Sequence, residues 1–445
     1  MHKLTFTLKQ HTPIIHFQHN QPDATLRATE VKPKLDDFLR KKLKEKIRKE
    51  WKVPNQEALD YKLKIKCGSK PDEEEIASNY SLFFGNTGGK NYHVISSPKC
   101  QMTILSWHSH LITKIENYLC DFFNEHNFGM RQSKGFGSFY PDPQDQLFNR
   151  IKYKQPSSKW PAFTIQTNNA KSVFSQLELF YSSLRSGINL VSGFEDFEYS
   201  EEKNASSSET FLVVHSKSKF FFKSLLFKYL SEYHHLQWDK KTIKQEFLNP
   251  IGQDFCKRGR KINLKNEERI IKRKLVFHKD DPLDWNYVYQ SANNRQEDLY
   301  PDGPAGFKQN KEKEKYLFRD YFGLSTQESW FHYGLSLSKE NDVISRFKSP
   351  ILFKIFKETE TSFKVFLHIL AIPERLRKAQ FKIQMDRKEL DLNMYPDFDF
   401  AHFFSWAFDE SKFNIELHVD KSMQGHENYT VLKCIYDQLQ KPNHA

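Results

Sequence analysis

Two stretches of this 445-residue chain collect the residue types that handle phosphates and protons. The first runs from Thr12 to Lys34 and holds His16, His19, Asp23, Arg27 and Lys32. A histidine of near-neutral pKa can exchange a proton with a ribose hydroxyl, and a cation can stabilise the charge of a phosphorane, which is what metal-independent RNA cleavage requires. Asp23 could instead hold a magnesium ion at a scissile phosphate. The second stretch, Gly129-Met-Arg-Gln-Ser-Lys-Gly-Phe-Gly137, packs three of the chain's 16 glycines beside Arg131 and Lys134. Glycine allows positive φ and close backbone approach, so with two cations the stretch reads as an anion-cradling loop. A glycine-ended helix followed by a turn is the competing reading of the same residues.

Several familiar chemistries have no sequence support. The chain contains no G-x-x-x-x-G-K-[ST] loop, no H-E-x-x-H and no G-x-S-x-G, which removes NTPase, zincin and hydrolase readings. His16 and His19 stand at i, i+3, yet no acidic or cysteine partner follows at a metal-binding interval, so no metal site is assigned. Cys67, Cys100, Cys120, Cys256 and Cys434 are odd in number, widely spaced and never in a C-x-x-C pair. That pattern argues against a disulfide framework and for a reducing, cytoplasmic setting. His234-His235 and Trp107-His-Ser-His110 read as helix-face and turn residues, and Gly85-Asn-Thr-Gly-Gly89 as a hairpin turn.

Charge points to a partner class. Lys and Arg number 68 against 56 Asp and Glu, a net charge of +12, which favours a polyanion and is also compatible with a merely solvated basic surface. The densest run, Lys257 to Lys274, carries nine cations and two carboxylates and reads as a phosphate-tracking surface or as a solvated helix and loop. Forty phenylalanines supply core volume despite the polar average. Met1 to Leu8 alternates polar and apolar residues, unlike a signal peptide, and no apolar run approaches the length of a membrane span, so a soluble protein without a membrane partner is expected.

The elements that must position these residues follow from periodicity. Leu4, Phe6 and Leu8 alternate with Thr5 and Thr7, a half-buried strand. Leu35, Leu39, Leu43, Ile47 and Trp51 recur every four residues as one helical stripe among lysines and arginines. Tyr61 to Lys66 and Met102 to Trp107 read as strands, Leu111 to Asn124 as a helix, and Phe136 to Tyr140 as a last strand. This order is the βαββαβ plan of a ferredoxin-like (RRM-like) domain, whose free sheet face suits single-stranded RNA. Farther on, Val173 to Leu184 and Phe220 to Tyr233 read as helices, Ile344 to Phe356 and Ser362 to Ile372 as strands, and Ser200 to Thr210 as a linker or mobile loop. The expectation is an α+β chain of tandem ferredoxin-like domains with helical insertions, 1–200 and 201–445, the second carrying a basic insertion at 240–306.

With that element order and the Gly129 to Gly137 loop between second helix and last strand, the chain resembles the RAMP (repeat-associated mysterious protein) superfamily of CRISPR systems. Thr12-Pro13 with Leu26-Arg-Ala-Thr-Glu-Val-Lys-Pro-Lys-Leu35 is similar to the strand-to-helix element of type III effector subunits. Leu317-Phe-Arg-Asp-Tyr-Phe-Gly323 and Arg346-Phe-Lys-Ser-Pro-Ile-Leu-Phe353 resemble later family elements, and the nearest type is the two-domain subunit at the head of type III-B complexes. Where the family's first helix begins, glycine usually follows the lysine, and this chain has Lys32-Pro33 instead. The resemblance implies a non-catalytic RNA-binding subunit of an antiviral ribonucleoprotein, holding guide or target RNA beside other effector subunits and needing no cofactor. It implies RNA contacts from Arg27, Lys32, Lys34, Gly129, Arg131, Lys134, Gly135 and Gly137, with Arg346 and Lys348 in the second half. The alternative is an endoribonuclease that processes guide RNA through His16 or His19, or cuts target RNA through Asp23 with magnesium.

Overall fold

In a computed structural model the chain is described over residues 1–16, 25–68, 72–75, 93–97, 99–145, 160–191, 197–203, 210–216, 218–234, 274–278, 316–325, 330–332, 335–341, 343–385 and 388–441. His19, Asp23, the glycine cluster 85–89 and the basic run through residue 273 lie outside those residues. The described residues form a mixed α+β protein with mainly antiparallel sheets, divided into two compact units. The first unit comprises Met1–Glu178, Ile351–Leu370 and Asp437–Ala445.

In the first unit, strand β1 (His2–Gln10) buries Leu4, Phe6 and Leu8 on one face, as the alternation requires. Helix α1 (Ala28–Leu43) buries Val31, Leu35, Phe38, Leu39 and Leu43. It begins six residues before the expected Lys34, which puts Pro33 in its second turn, where the missing N–H leaves the Thr29 carbonyl without its i+4 donor. The helix also stops earlier than the stripe predicts. Lys44 turns to φ +49°, and short 3-10 turns at Lys44–Lys46 and Lys49–Trp51 then carry Trp51 into the core.

Strands β2 (Lys62–Cys67) and β3 (Lys99–Ser106) follow, then helix α2 (Ser109–Glu125) and strand β4 (Phe139–Pro141). The sheet order is β2-β3-β1-β4, all antiparallel, with Leu4 opposite Ile104, Phe6 opposite Met102 and Lys9 opposite Tyr140. A hairpin of Asp72–Glu75 and His93–Ser96 is inserted between β2 and β3. The buried side chains of both helices and of the inward sheet face form one apolar cluster.

Three further strands of this unit follow β4, with two helices, α3 and α4, that it shares with the second unit. Strand β5 (Ala162–Gln166) and helix α3 (Ala170–Arg185) precede a long excursion of the chain, after which strands β6 (Ile351–Thr359) and β7 (Ser362–Ile369) form a hairpin. Their sheet order is β6-β7-β5, and helix α4 (Glu427–Gln440) follows near the end, with Gln438 hydrogen-bonded to both the N–H and C=O of Thr164.

Lys354, in the middle of β6, is fully buried and donates to the carbonyls of His126 and Phe139 and to Oδ1 of Asn127, at 3.0, 3.0 and 3.2 Å. Burial pulls its amine well below the ordinary lysine range. Three acceptors, however, match the three donors of an ammonium and exceed what a neutral amine offers, so they hold the proton in place. His11, at the end of β1, accepts a hydrogen bond on Nδ1 from the Lys357 amide at 3.0 Å and lies against Phe356.

The second unit, Leu179–Pro350 with Ala371–Tyr436, has a five-stranded sheet in the order Tyr316–Leu317, Lys388–Met394, Gln380–Met385, Leu335–Glu340, Trp330–His332. This order differs from that of the first unit. Inside it the Lys339 ammonium meets Asp320 at 2.5 Å, both buried. Where Phe220 to Tyr233 reads as a helix, the structure has strand Ser218–Phe222, then helix Leu225–Glu232 capped by Ser224 accepting from the Phe227 amide. Of the polar run at 200–210, residues 200–203 and 210 belong to strands, Phe197–Lys203 pairing with Thr210–Ser216, and 204–209 lie outside the described residues.

The cysteine expectation is corrected. Cys67 and Cys100 form a disulfide across β2 and β3. Their 33-residue separation hides a register in which they are direct cross-strand partners. No described helix is long and apolar enough to cross a membrane.

Two outcomes follow. Lys354→Met fills the space but leaves three buried acceptors without a donor, so it is expected to destabilise the chain by about 3 kcal/mol or more in chemical denaturation. Burial also pushes His11 from 6.5 to about 3, and His368 to about 4. A depressed folded-state pKa means that the neutral ring folds, so stability is complete above about pH 6.5 and is lost as pH falls toward those values, by about 1.4 kcal/mol per pH unit per histidine. Thermal unfolding between pH 7 and 5 should show this fall, with a shallower slope in His11→Gln.

Candidate nucleic-acid interface

The loop that follows α2 owes its shape to its glycines. Gly129, Gly135 and Gly137 have φ of +79°, +91° and +67°, and Arg131 between them takes +55°. A Cβ on Gly137 would lie 1.9 Å from the Phe128 carbonyl oxygen, and one on Gly129 would lie 2.5 Å from that of Ile15. Both positions therefore require glycine on conformational and steric grounds.

The loop's amides point mostly inward. Gly129 N–H donates to Glu30 Oε1 at 2.8 Å, Met130 to the Ile15 carbonyl at 2.7 Å and Gly137 to the Pro13 carbonyl at 2.8 Å. Lys134 and Gly135 donate within the loop, and Ser138 N–H donates to Thr12 Oγ1, which itself donates to the Gly135 carbonyl. These amides fix the loop to the start of the Thr12 to Lys34 connection, and the cradle expected from the glycine pattern is an internal one. The residues of its 130–134 segment are half-buried, and the Lys134 amine is itself buried.

Helix α1 supplies the facing wall. Glu30 Oε1 accepts from the Gly129 amide, from Gln132 Nε2 at 3.3 Å and from Lys34 Nζ at 2.8 Å. Lys34 also donates to the Asn127 carbonyl at 3.2 Å and sits 4.8 Å above the Phe128 ring. Lys32 lies elsewhere, bonded to Asp36 and the Leu59 carbonyl and stacked over Tyr61. Both lysines thus brace the frame. Arg27, half-buried at the N-cap of α1, stands close enough to His16 for its charge to add to burial in lowering the His16 pKa, with Glu30 opposing. His16 is buried.

The structure therefore gathers His16, Arg27, Lys34, Gly129, Arg131, Lys134, Gly135 and Gly137 in one neighbourhood. Arg346 and Lys348 are exposed residues of the second unit, where Arg346–Phe347 pairs with Leu324–Ser325. Asp23, the magnesium candidate, lies outside the described residues, and among the described ones no group of three or more His, Cys, Asp or Glu could hold a metal.

Three residues that sequence reasoning missed hold this neighbourhood together. Lys354 binds the backbone at both ends of the loop, at His126 and Phe139. Asn127 donates to the carbonyls of Gln132 and Phe353, and Ser138 donates to that of Ile355. A lone lysine inside the apolar run Ile351-Leu-Phe-Lys-Ile-Phe356 was the available signal, because such a run is a buried strand and a buried lysine needs acceptors.

Comparison with known proteins adds a family. Residues 1–188 match the family model of the Cmr1 N-terminal domain, and residues 221–432 match that of the Cmr1 C-terminal domain. The crystal structure of Cmr1 from Pyrococcus furiosus in its apo form is similar over 84% of this chain and 90% of that one, at 12% identity and a TM-score of 0.30. No curated protein matches the chain.

The steric account of the loop gives a paired outcome. Gly137→Ala is expected to cost about 3 kcal/mol or more, whereas Gly68→Ala, with nothing within 4 Å of the added carbon, should leave the melting temperature nearly unchanged.

Proposed function

The chain belongs to the Cmr1 family of CRISPR RAMP proteins, subunits of type III effector complexes, and from that premise we propose that it binds guide or target RNA through the Gly129 to Gly137 loop and the start of α1. One observation carries this reading: Arg27 at the start of α1 and Arg131 on the loop, cations from two distant stretches, are carried by one frame that Glu30, Lys34 and Lys354 tie together, while the Lys134 amine is buried within it. A rigid frame presents positive charge to a phosphate backbone without first ordering it, which is how protein holds RNA whose sequence is read by pairing. The α1 N-terminus has no side-chain cap and adds the positive end of a helix dipole.

The finer architecture belongs to the same proposal. In the first unit, β1 to β4 with their two helices follow the ferredoxin-like order. The β5-α3-β6-β7-α4 series, with strand order β6-β7-β5, reads as a second copy opened by insertions, which would begin near residue 160, ahead of the division expected at residue 200. Other effector subunits are its protein partners, and RNA is held in the cytoplasm without a cofactor.

The test uses Arg131→Asn, which removes a cation and suits the left-handed backbone at φ +55°, combined with Arg27→Gln. Affinity for single-stranded RNA should fall severalfold, and the slope of log affinity against log salt should flatten by about 0.7 for each phosphate no longer neutralised. Unchanged affinity in the folded double variant contradicts the proposal. Metal-independent cleavage of repeat RNA that disappears in His16→Ala or His19→Ala, or magnesium-dependent cleavage abolished in Asp23→Ala, would move the reading to the endoribonuclease alternative.

A further inference from the structure

The outward face of the first sheet carries a second basic surface, distinct from the loop. Cross-strand partners share a face, so three rows cross β1, β3 and β2: Lys3, Leu105, Lys62; then Thr5, Thr103, Lys64; then Thr7, Gln101, Lys66. The Thr5 and Thr103 hydroxyls confirm the shared face by meeting at 3.2 Å. Lys3, Lys62, Lys64, Lys66 and Gln101 are exposed, and no carboxylate among the described side chains, which do not include those of 72–75, pairs with these four lysines. At the far end the charge is already met, because Lys99 pairs with Asp142 at 3.4 Å and Lys9 lies in the field of Glu360. There Phe356 packs edge-on against Tyr140, so β6 covers that end and leaves the lysine end open.

We propose that the Lys3, Lys62, Lys64, Lys66 surface tracks the backbone of a single RNA strand, independently of its sequence. Alternate residues of a strand lie about 7 Å apart on one side, so Lys62, Lys64 and Lys66 form a straight row suited to successive phosphates of an extended chain. Thr5, Thr103 and Gln101 beside the row are donors of the kind that contact phosphate and sugar. A protein partner fits less well. Stable protein interfaces centre on apolar anchors, and Leu105 is the one apolar side chain in these rows. Lysines on an edge strand also deter strand pairing, which would account for β2, yet Lys3 stands on β1, an interior strand.

The experiment compares the full chain with Lys62→Gln/Lys64→Gln/Lys66→Gln and with Arg131→Asn, using a labelled unstructured oligouridine and a mixed-sequence RNA of equal length at several salt concentrations. These exposed substitutions should not alter the melting temperature. The triple variant is expected to bind both RNAs about tenfold or more weakly at low salt, with the salt slope reduced by about 2, roughly 0.7 per lysine replaced. Unchanged affinity and slope would overturn the surface while leaving the loop reading to stand or fall on Arg131→Asn. Weakening confined to one RNA sequence would overturn sequence-independent tracking, and weakened polyglutamate binding with RNA binding retained would assign the surface to acidic protein.

Discussion

The ammonium of Lys354 is the constraint on which the first unit depends. It enters on a strand more than 200 residues downstream of the loop it holds, and directs its three donors to the loop's two flanking backbones and to Asn127. Burying an ammonium is costly unless every donor is met, so the cost itself selects one arrangement of loop and hairpin. Asn127 and Ser138 bond the same strand at Phe353 and Ile355, and Glu30 fixes the loop from the other side. The backbone of the Gly129 to Gly137 stretch is thereby tied to β1, α1 and β6.

This arrangement separates two roles that residue type alone merges. Lys32 and Lys34 look like phosphate ligands in the sequence, but their ammonium groups are drawn toward Asp36, Leu59, Glu30 and Asn127 and hold the helix in place. The glycines likewise serve shape first, admitting the carbonyls of Ile15 and Phe128 at distances that no side chain would tolerate. The lysine rows of the sheet differ from Lys32 and Lys34, since no carboxylate among the described side chains pairs with Lys3, Lys62, Lys64 or Lys66. The net positive charge of the chain is thus partly structural and partly available.

Local pattern made the first sheet and its helices legible. The alternation of Leu4, Phe6 and Leu8, the stripe Leu35, Leu39, Leu43 and the helical spacing from Leu111 to Phe123 each state burial through period alone. The order of elements then identified the glycine stretch as the connection between α2 and β4. Long-range facts were hidden. The Cys67 and Cys100 pairing depends on a strand register, and the partnership of Lys354 with Asn127 depends on a hairpin returning from 351–369. Phe220 to Tyr233 misled because aromatic-rich strand and helix segments have similar composition, and Ser224, a good N-cap, marked the true helix start.

Photo-crosslinking of bound single-stranded RNA to the full chain, with peptides identified by mass spectrometry, tests the central claim most directly. The account predicts crosslinks within 27–34 and 129–134 and along Lys62 to Lys66, all abolished by competing unlabelled RNA. Crosslinks confined to other segments, such as the basic run Lys257 to Lys274, would contradict it.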